Sequence, residues 1–189
     1  MKKYELLVDD TITFFGVQLF RIKALISFSG IEKGELGGYV ASETNLSQSG
    51  NAWVSGDARV SGDAEVYGNA WVSGNARVSG DARVSGDARV SGDAEVYGNA
   101  WVSGDARVSG DAEVYGNADY IVFKNTWSSG RYFTYTKSNK KWKVGCFYGY
   151  GYELIEKAYK DSKKSGDFYK AYVEFVEKLE EIENIHKEQ

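Results

Sequence analysis

From Gly50 onward the apolar positions recur at a fixed interval: an alanine, one variable residue, a valine, then a Ser or Tyr, a Gly and an Asn or Asp. The chain divides there into GNAWVS, GDARVS, GDAEVY, GNAWVS, GNARVS, GDARVS, GDARVS, GDAEVY, GNAWVS, GDARVS and GDAEVY, eleven unbroken hexads that decay through GNADYI. The stretch at 50–70 returns at 98–118. Within each hexad, A-x-V has the period of two expected of a short strand with one buried face. The G-[ND] pair supplies the corner, because Gly accepts positive φ freely and Asn or Asp tolerates it better than most residues. Three strands and three corners close one triangular coil of eighteen residues, so residues eighteen apart are predicted to stack. Eleven hexads then make a little under four coils, a column about 18 Å tall at the usual strand spacing. Its interior holds only Val and Ala, narrow and dry, with no room for a ligand.

The pattern changes on both sides of the column. DTITFFGVQLFRIKAL, from Asp10, predicts a hairpin turning at Gly16–Val17, with Phe20, Ile22 and Ala24 on one face. GELGGYVASETNLSQSG feeds the column, Val40 and Leu46 marking an imperfect first turn. After Tyr120, the runs YIVF, RYFTYT and KWKVGCFY, separated by NTWSSG and KSNKK, predict an antiparallel meander. Two helices follow, near 152–165 and 168–185, divided by Gly166 as breaker and Asp167 as N-cap. Phe168, Tyr172, Phe175, Val176, Leu179 and Ile182 form an apolar stripe expected to face a core. The predicted organisation is an N-terminal β-hairpin cap over 1–35, a repeat column over 36–119 and a C-terminal α+β domain over 120–189. Caps are the general remedy for the exposed edges of such a column.

Val54 with Ala58, Val60 with Ala64 and Val66 with Ala70 set an aliphatic residue four before a small one. This resembles the hexapeptide repeat of left-handed parallel β-helices; the resemblance covers 66 residues and implies both the mainly β fold and its hand. LGGYVASETNLSQSGNAWV, the hexads and VGCFYGYGYELIEKAY together resemble a group of bacteriophage and prophage hexapeptide-repeat, or polymer-forming, proteins. That resemblance implies an accessory protein acting on host machinery or host defence, and hexapeptide proteins often trimerise. The Gly- and Tyr-rich YGYGY after Cys146 departs from the group's pattern.

The net charge of −4 is unevenly spread: residues 50–119 carry −6, residues 1–49 carry −1 and residues 120–189 carry +3. Phosphate contact along the repeat would need Lys and Arg in excess, so the column is not expected to grip nucleic acid. No apolar run approaches a membrane span, and MKKYELLVDD has acids where a signal peptide has its apolar run, so a cytoplasmic location is expected, the host cytoplasm if phage-encoded. Cys146, the single cysteine, is expected to be a small buried hydrophobe in a strand over VGCFYGY.

The variable position forms three outward columns: Trp53, Trp71, Arg89, Arg107; Arg59, Arg77, Glu95, Glu113; and Glu65, Arg83, Trp101, Asp119. One account is neighbour chemistry, with Trp71 under Arg89 and Arg83 under Trp101 as cation–π pairs, and Glu65–Arg83 and Arg77–Glu95 as ion pairs. The other is recognition. Exposed Trp53 and Trp71 with Arg89 and Arg107, joined by Trp101, Arg83 and the stacked Tyr97 and Tyr115, are the residue types that dominate binding hot spots. A second candidate is KSNKKWK, where Lys137, Lys140, Lys141 and Lys143 surround Trp142: either an anion or nucleic-acid contact, or a solvated hairpin tip beside a buried Trp.

Catalytic sets are missing. Hexapeptide acyltransferases rely on a histidine base, and His186 stands near the chain's end. No cofactor or metal site is expected. The leading expectation is a noncatalytic, phage-type protein that presents a β-helix face and a C-terminal domain to a protein partner as a dimer or trimer, with an inhibitory role in view. The alternatives are a structural oligomerisation scaffold, a small-molecule-sequestering protein and, last, an acyltransferase.

Overall fold

The computed structural model describes residues 2–126 and 130–187. Trp127, Ser128 and Ser129 of the NTWSSG connection lie outside the described residues. The chain opens with a hairpin, β1 (Tyr4–Phe14) and β2 (Val17–Ala24), which runs on antiparallel into β3 (Leu36–Val40). Each hexad then contributes one two-residue strand: β4 (Trp53–Val54), β5 (Arg59–Val60), β6 (Glu65–Val66), β7 (Trp71–Val72), β8 (Arg77–Val78), β9 (Arg83–Val84), β10 (Arg89–Val90), β11 (Glu95–Val96), β12 (Trp101–Val102), β13 (Arg107–Val108) and β14 (Glu113–Val114).

These strands stack as a β-solenoid of about four turns with three parallel faces, β3-β5-β8-β11-β14, β4-β7-β10-β13 and β6-β9-β12. The register places Trp53 beside Trp71, Trp71 beside Arg89 and Arg89 beside Arg107, the spacing of eighteen that the hexads predict. Every hexad Ala and Val is fully buried, so the column is filled by its own side chains. The first turn is imperfect as expected: Val40 pairs with Val60 and Leu46 with Val66, twenty residues on, because two extra residues occupy the corner before Trp53.

The corners belong to glycine alone. From Gly50 to Gly110 each hexad Gly has φ between 64° and 74°, whereas no hexad Asn or Asp has positive φ. The glycines also stack backbone on backbone: a Cβ on Gly80 would lie 3.1 Å from the N and O of Gly98. Gly116 leaves the left-handed region, and there the column ends. Asp119 accordingly departs from its predicted column; its Oδ2 accepts from the N–H groups of Tyr115 and Gly116 instead.

Both ends are closed by side chains. At the base, Lys3 Nζ donates to the Ala52 carbonyl, and Asn45 Nδ2 donates to the carbonyls of Gly62 and Ala64. At the top, the N–H groups of Trp101, Arg107 and Glu113, one from each face, donate to Asn117 Oδ1, Thr134 Oγ1 and Ser138 Oγ. Edge groups that would otherwise invite another chain are thus satisfied.

The C-terminal part is a four-stranded antiparallel sheet, β15 (Tyr120–Lys124), β16 (Tyr132–Thr136), β17 (Lys141–Val144) and β18 (Phe147–Tyr150), covered by α1 (Gly151–Asp161) and α2 (Lys163–Lys187). The expected third run is therefore two strands, because Gly145, at φ 57°, turns the chain. Cys146 sits exposed on that turn and is not the buried residue of a strand. The helix break also falls elsewhere than expected. Ser162, extended at φ −170°, ends α1, and its Oγ accepts from the Ser165 N–H to start α2. Gly166 lies buried within α2 where a Cβ would collide with the Tyr159 ring, and Asp167 accepts from Tyr159 and Lys163. The stripe turns by part of a face: Val173 and Val176 are buried with Tyr172 packed beside them, while Phe168, Phe175 and Ile182 are exposed.

Candidate functional site

The side chain that precedes each buried valine points outward, and the hydroxyl after it does too, so one face of the solenoid carries Trp71 and Ser73, Arg89 and Ser91, then Arg107 and Ser109 on successive rungs. The end of β17 and the β17–β18 turn lean across this face and bring Lys143 and Gly145 against it. Between them lies an open groove of about 380 Å³.

The position of that turn is set by Asp111, at the corner beyond Ser109. Its Oδ1 accepts from Tyr148 Oη at 2.8 Å, Lys141 Nζ at 3.1 Å and Asn139 Nδ2 at 3.0 Å. Those three donors, the Tyr148 hydroxyl foremost, pull the carboxyl down to about 2. The Arg107–Thr134 bond holds the neighbouring strand at 2.9 Å. The groove is therefore built from two elements far apart in sequence and locked together at its upper end.

Its electrostatics are one-sided. No carboxylate is among the lining residues, and Arg89, Arg107 and Lys143 have no ion-pair partner among the described residues. Ser109 is 8 % exposed, and its Oγ is buried without a hydrogen-bond partner. An orphaned buried hydroxyl is uncommon and calls for an explanation. Trp71 borders the groove with its ring fixed, since Nε1 donates to Ser55 Oγ at 3.0 Å. Three cations without a carboxylate partner, a hydroxyl and an aromatic ring thus line one groove, a set of groups whose chemistry suits an anion.

The residues anticipated from sequence are distributed unevenly. Trp71, Arg89 and Arg107 meet in the groove, joined by Lys143 from the other predicted cluster. Trp53 is fully buried rather than exposed: Phe28 and Tyr4 pack edge-on against it at 5.5 and 6.5 Å. Trp101 is 47 % exposed on another face, with Nε1 donating to Ser85 Oγ, and Arg83 is exposed beside it. Both outer Trp rings lean over the serine of the preceding coil, and the expected cation–π pairs with Arg89 and Arg83 are not formed among the described residues. The guanidinium groups of Arg59 and Arg77 instead face Phe14, at 4.4 and 5.1 Å. Arg77 and Glu95 do form the expected ion pair, at 2.6 Å. Glu65 and Arg83 form none among the described residues. Tyr97 and Tyr115 stack edge-on at 5.3 Å.

The KSNKKWK cluster comes apart. Trp142 is buried in the second core against Tyr135 and Phe123, out of reach of a nucleobase. Lys137 pairs with Glu183, Lys140 with Glu180 and Lys141 with Asp111, which leaves Lys143 for the groove. Sequence reasoning missed Ser73, Ser91, Ser109 and Gly145. The serines were legible as a column eighteen apart, but nothing local marks which column the turn covers.

Fold and groove together define a capped β-solenoid repeat protein. Its repeat in particular is similar to the YdcK beta solenoid repeat: four overlapping stretches, 58–74, 70–86, 76–92 and 82–104, match that family's model. All lie inside the column, so the similarity describes the repeat and not the caps. A comparison with curated proteins gave no match. Among the described residues there is no cluster of His, Cys, Asp or Glu able to hold a metal, and no helix is long and apolar enough to cross a membrane.

Proposed function

We propose that the protein is a noncatalytic binding protein of the phage accessory kind, acting in the cytoplasm, which seizes an anionic group of a macromolecular partner in the groove between its solenoid and its C-terminal sheet. The observation that carries this reading is the convergence of Arg89, Arg107 and Lys143 without a carboxylate to neutralise them. Surface charge is ordinarily interspersed in sign, and Arg77, Lys137 and Lys141 each have a carboxylate partner, whereas these three cations share one groove without one. A rigid column needs little ordering on binding, so its contacts go largely into affinity. Occlusion of a partner's surface would follow from the bulk of the two caps on either side.

Affinity capture from the native host tests the reading. A partner retained by the wild type and lost from the Arg89→Ala/Arg107→Ala double variant supports it; equal retention by both, with folding intact by circular dichroism, removes the groove from the account. A second reading, lateral self-association, is favoured by Trp101 at 47 % and Tyr115 at 61 % exposure. Light scattering of the Trp101→Ser/Tyr115→Ser variant separates it from the first, since only a scaffold would lose mass.

A further inference from the structure

We infer that the groove receives a phosphate monoester dianion carried on a planar ring. This rests on the reading of the groove as the binding site and specifies its ligand. A lone carboxylate brings one negative charge and two oxygens, and would leave three cations under-neutralised. A phosphate monoester brings nearly two charges and three strong acceptor oxygens at neutral pH. Guanidinium forks match such oxygens bidentately. Arg89 and Arg107 stand on neighbouring rungs of a rigid sheet, with Lys143 reaching in from β17.

Ser109 supplies the independent observation. Its hydroxyl lies at the rung of Arg107, buried and without a partner, where it can donate to a phosphate oxygen that the cations leave free. The ring of the ligand follows from Trp71. Its strand is the rung below that of Arg89, and the indole leans toward Ser55 of the preceding coil, so a ring that stacks on it extends down the face from a phosphate held at Arg89 and Arg107. The Ser55 bond holds the indole in place, so a planar group finds a prepared surface. The same chemistry occurs on free aryl phosphates and on a phosphorylated aromatic side chain of a protein partner.

Phenyl phosphate titrated into the full chain, followed by calorimetry and by the Trp71 indole N–H resonance, is the direct test. The expected result is one site per chain, tighter than inorganic phosphate, with no response to phenol. Arg89→Gln, Arg107→Gln and Lys143→Gln should each weaken binding by about tenfold or more. Affinity should fall below about pH 6, where the dianion takes up a proton and becomes a monoanion. Ser109→Ala should weaken binding while leaving thermal unfolding unchanged, which separates a ligand contact from a structural role. A phosphotyrosine pentapeptide run in parallel distinguishes the sources: tighter binding than phenyl phosphate assigns the group to a protein partner, weaker binding to a small molecule. Absence of phenyl phosphate binding at millimolar concentration overturns the inference, as does binding that survives the two Arg substitutions. So does hexaglutamate binding in its place with the same Arg dependence. That last result leaves the groove reading standing, and the capture experiment judges that reading separately.

Discussion

Three hexads read GNAWVS, and their tryptophans meet three different environments. Trp53 is fully buried against Tyr4 and Phe28 of the N-terminal segment, Trp71 borders the groove half-buried, and Trp101 is about half exposed. The local sequence is the same each time, so the difference comes from what the caps lay over each rung. This is where reading the chain reached its limit: the pairing of residues eighteen apart was legible in the A-x-V period, but burial by a distant segment was not. The same identity permits a sharp contrast. Trp53→Ala should cost about 3–5 kcal/mol as a large core truncation, while Trp71→Ala should cost a fraction of that. Chemical denaturation of the two variants side by side measures the difference.

At the scale of the element, the solenoid depends on its glycine corners and its closed ends. Gly80→Ala forces a side chain into the left-handed region at φ 68° and toward the backbone of Gly98, and should cost at least about 1–2 kcal/mol. Gly116→Ala, where a Cβ has 3.8 Å to its nearest neighbour and φ is ordinary, should fall within about 0.5 kcal/mol of the wild type. The hexad motif marked both glycines alike; only the last rung's lack of a coil above it explains why one is free. The base shows a further consequence of capping. Lys3 is buried on the Ala52 carbonyl, 5.2 Å from the Phe28 ring, and burial lowers its ammonium from 10.5 to about 8. Between those values the unfolded chain holds more protons than the folded one, so stability should rise as pH increases from about 8 to 10.5. Urea unfolding across that range should show the rise in the wild type and lose it in Lys3→Met. No sequence signal pointed to Lys3, because the carbonyl it serves exists only once the first full coil is closed.

For the whole molecule, the proposed function depends on which column the C-terminal turn covers. Asp111 and Arg107 dock that turn on the last coil, so the groove's upper half travels with the C-terminal domain, while its lower half is whatever column lies beneath. The candidate groove was half legible: Trp71, Arg89 and Arg107 were aligned by counting, and Lys143 was singled out for its charge, but their meeting is a long-range docking event. The repeat allows the lower half of the groove to be exchanged while its upper half and the docked turn stay in place. Deleting the single hexad 80–85 removes a unit equivalent to its neighbours, so the column should close again. Arg107 remains above Arg89, but the face below rotates by one side and Glu65 takes the place of Trp71.

Affinity capture with the 80–85 deletion, set against the wild type, therefore tests the account most directly. The account predicts a folded chain that loses the partner the wild type retains, since a carboxylate now neutralises the groove where an indole stood. Retention of that partner at undiminished strength by the folded deletion would contradict it.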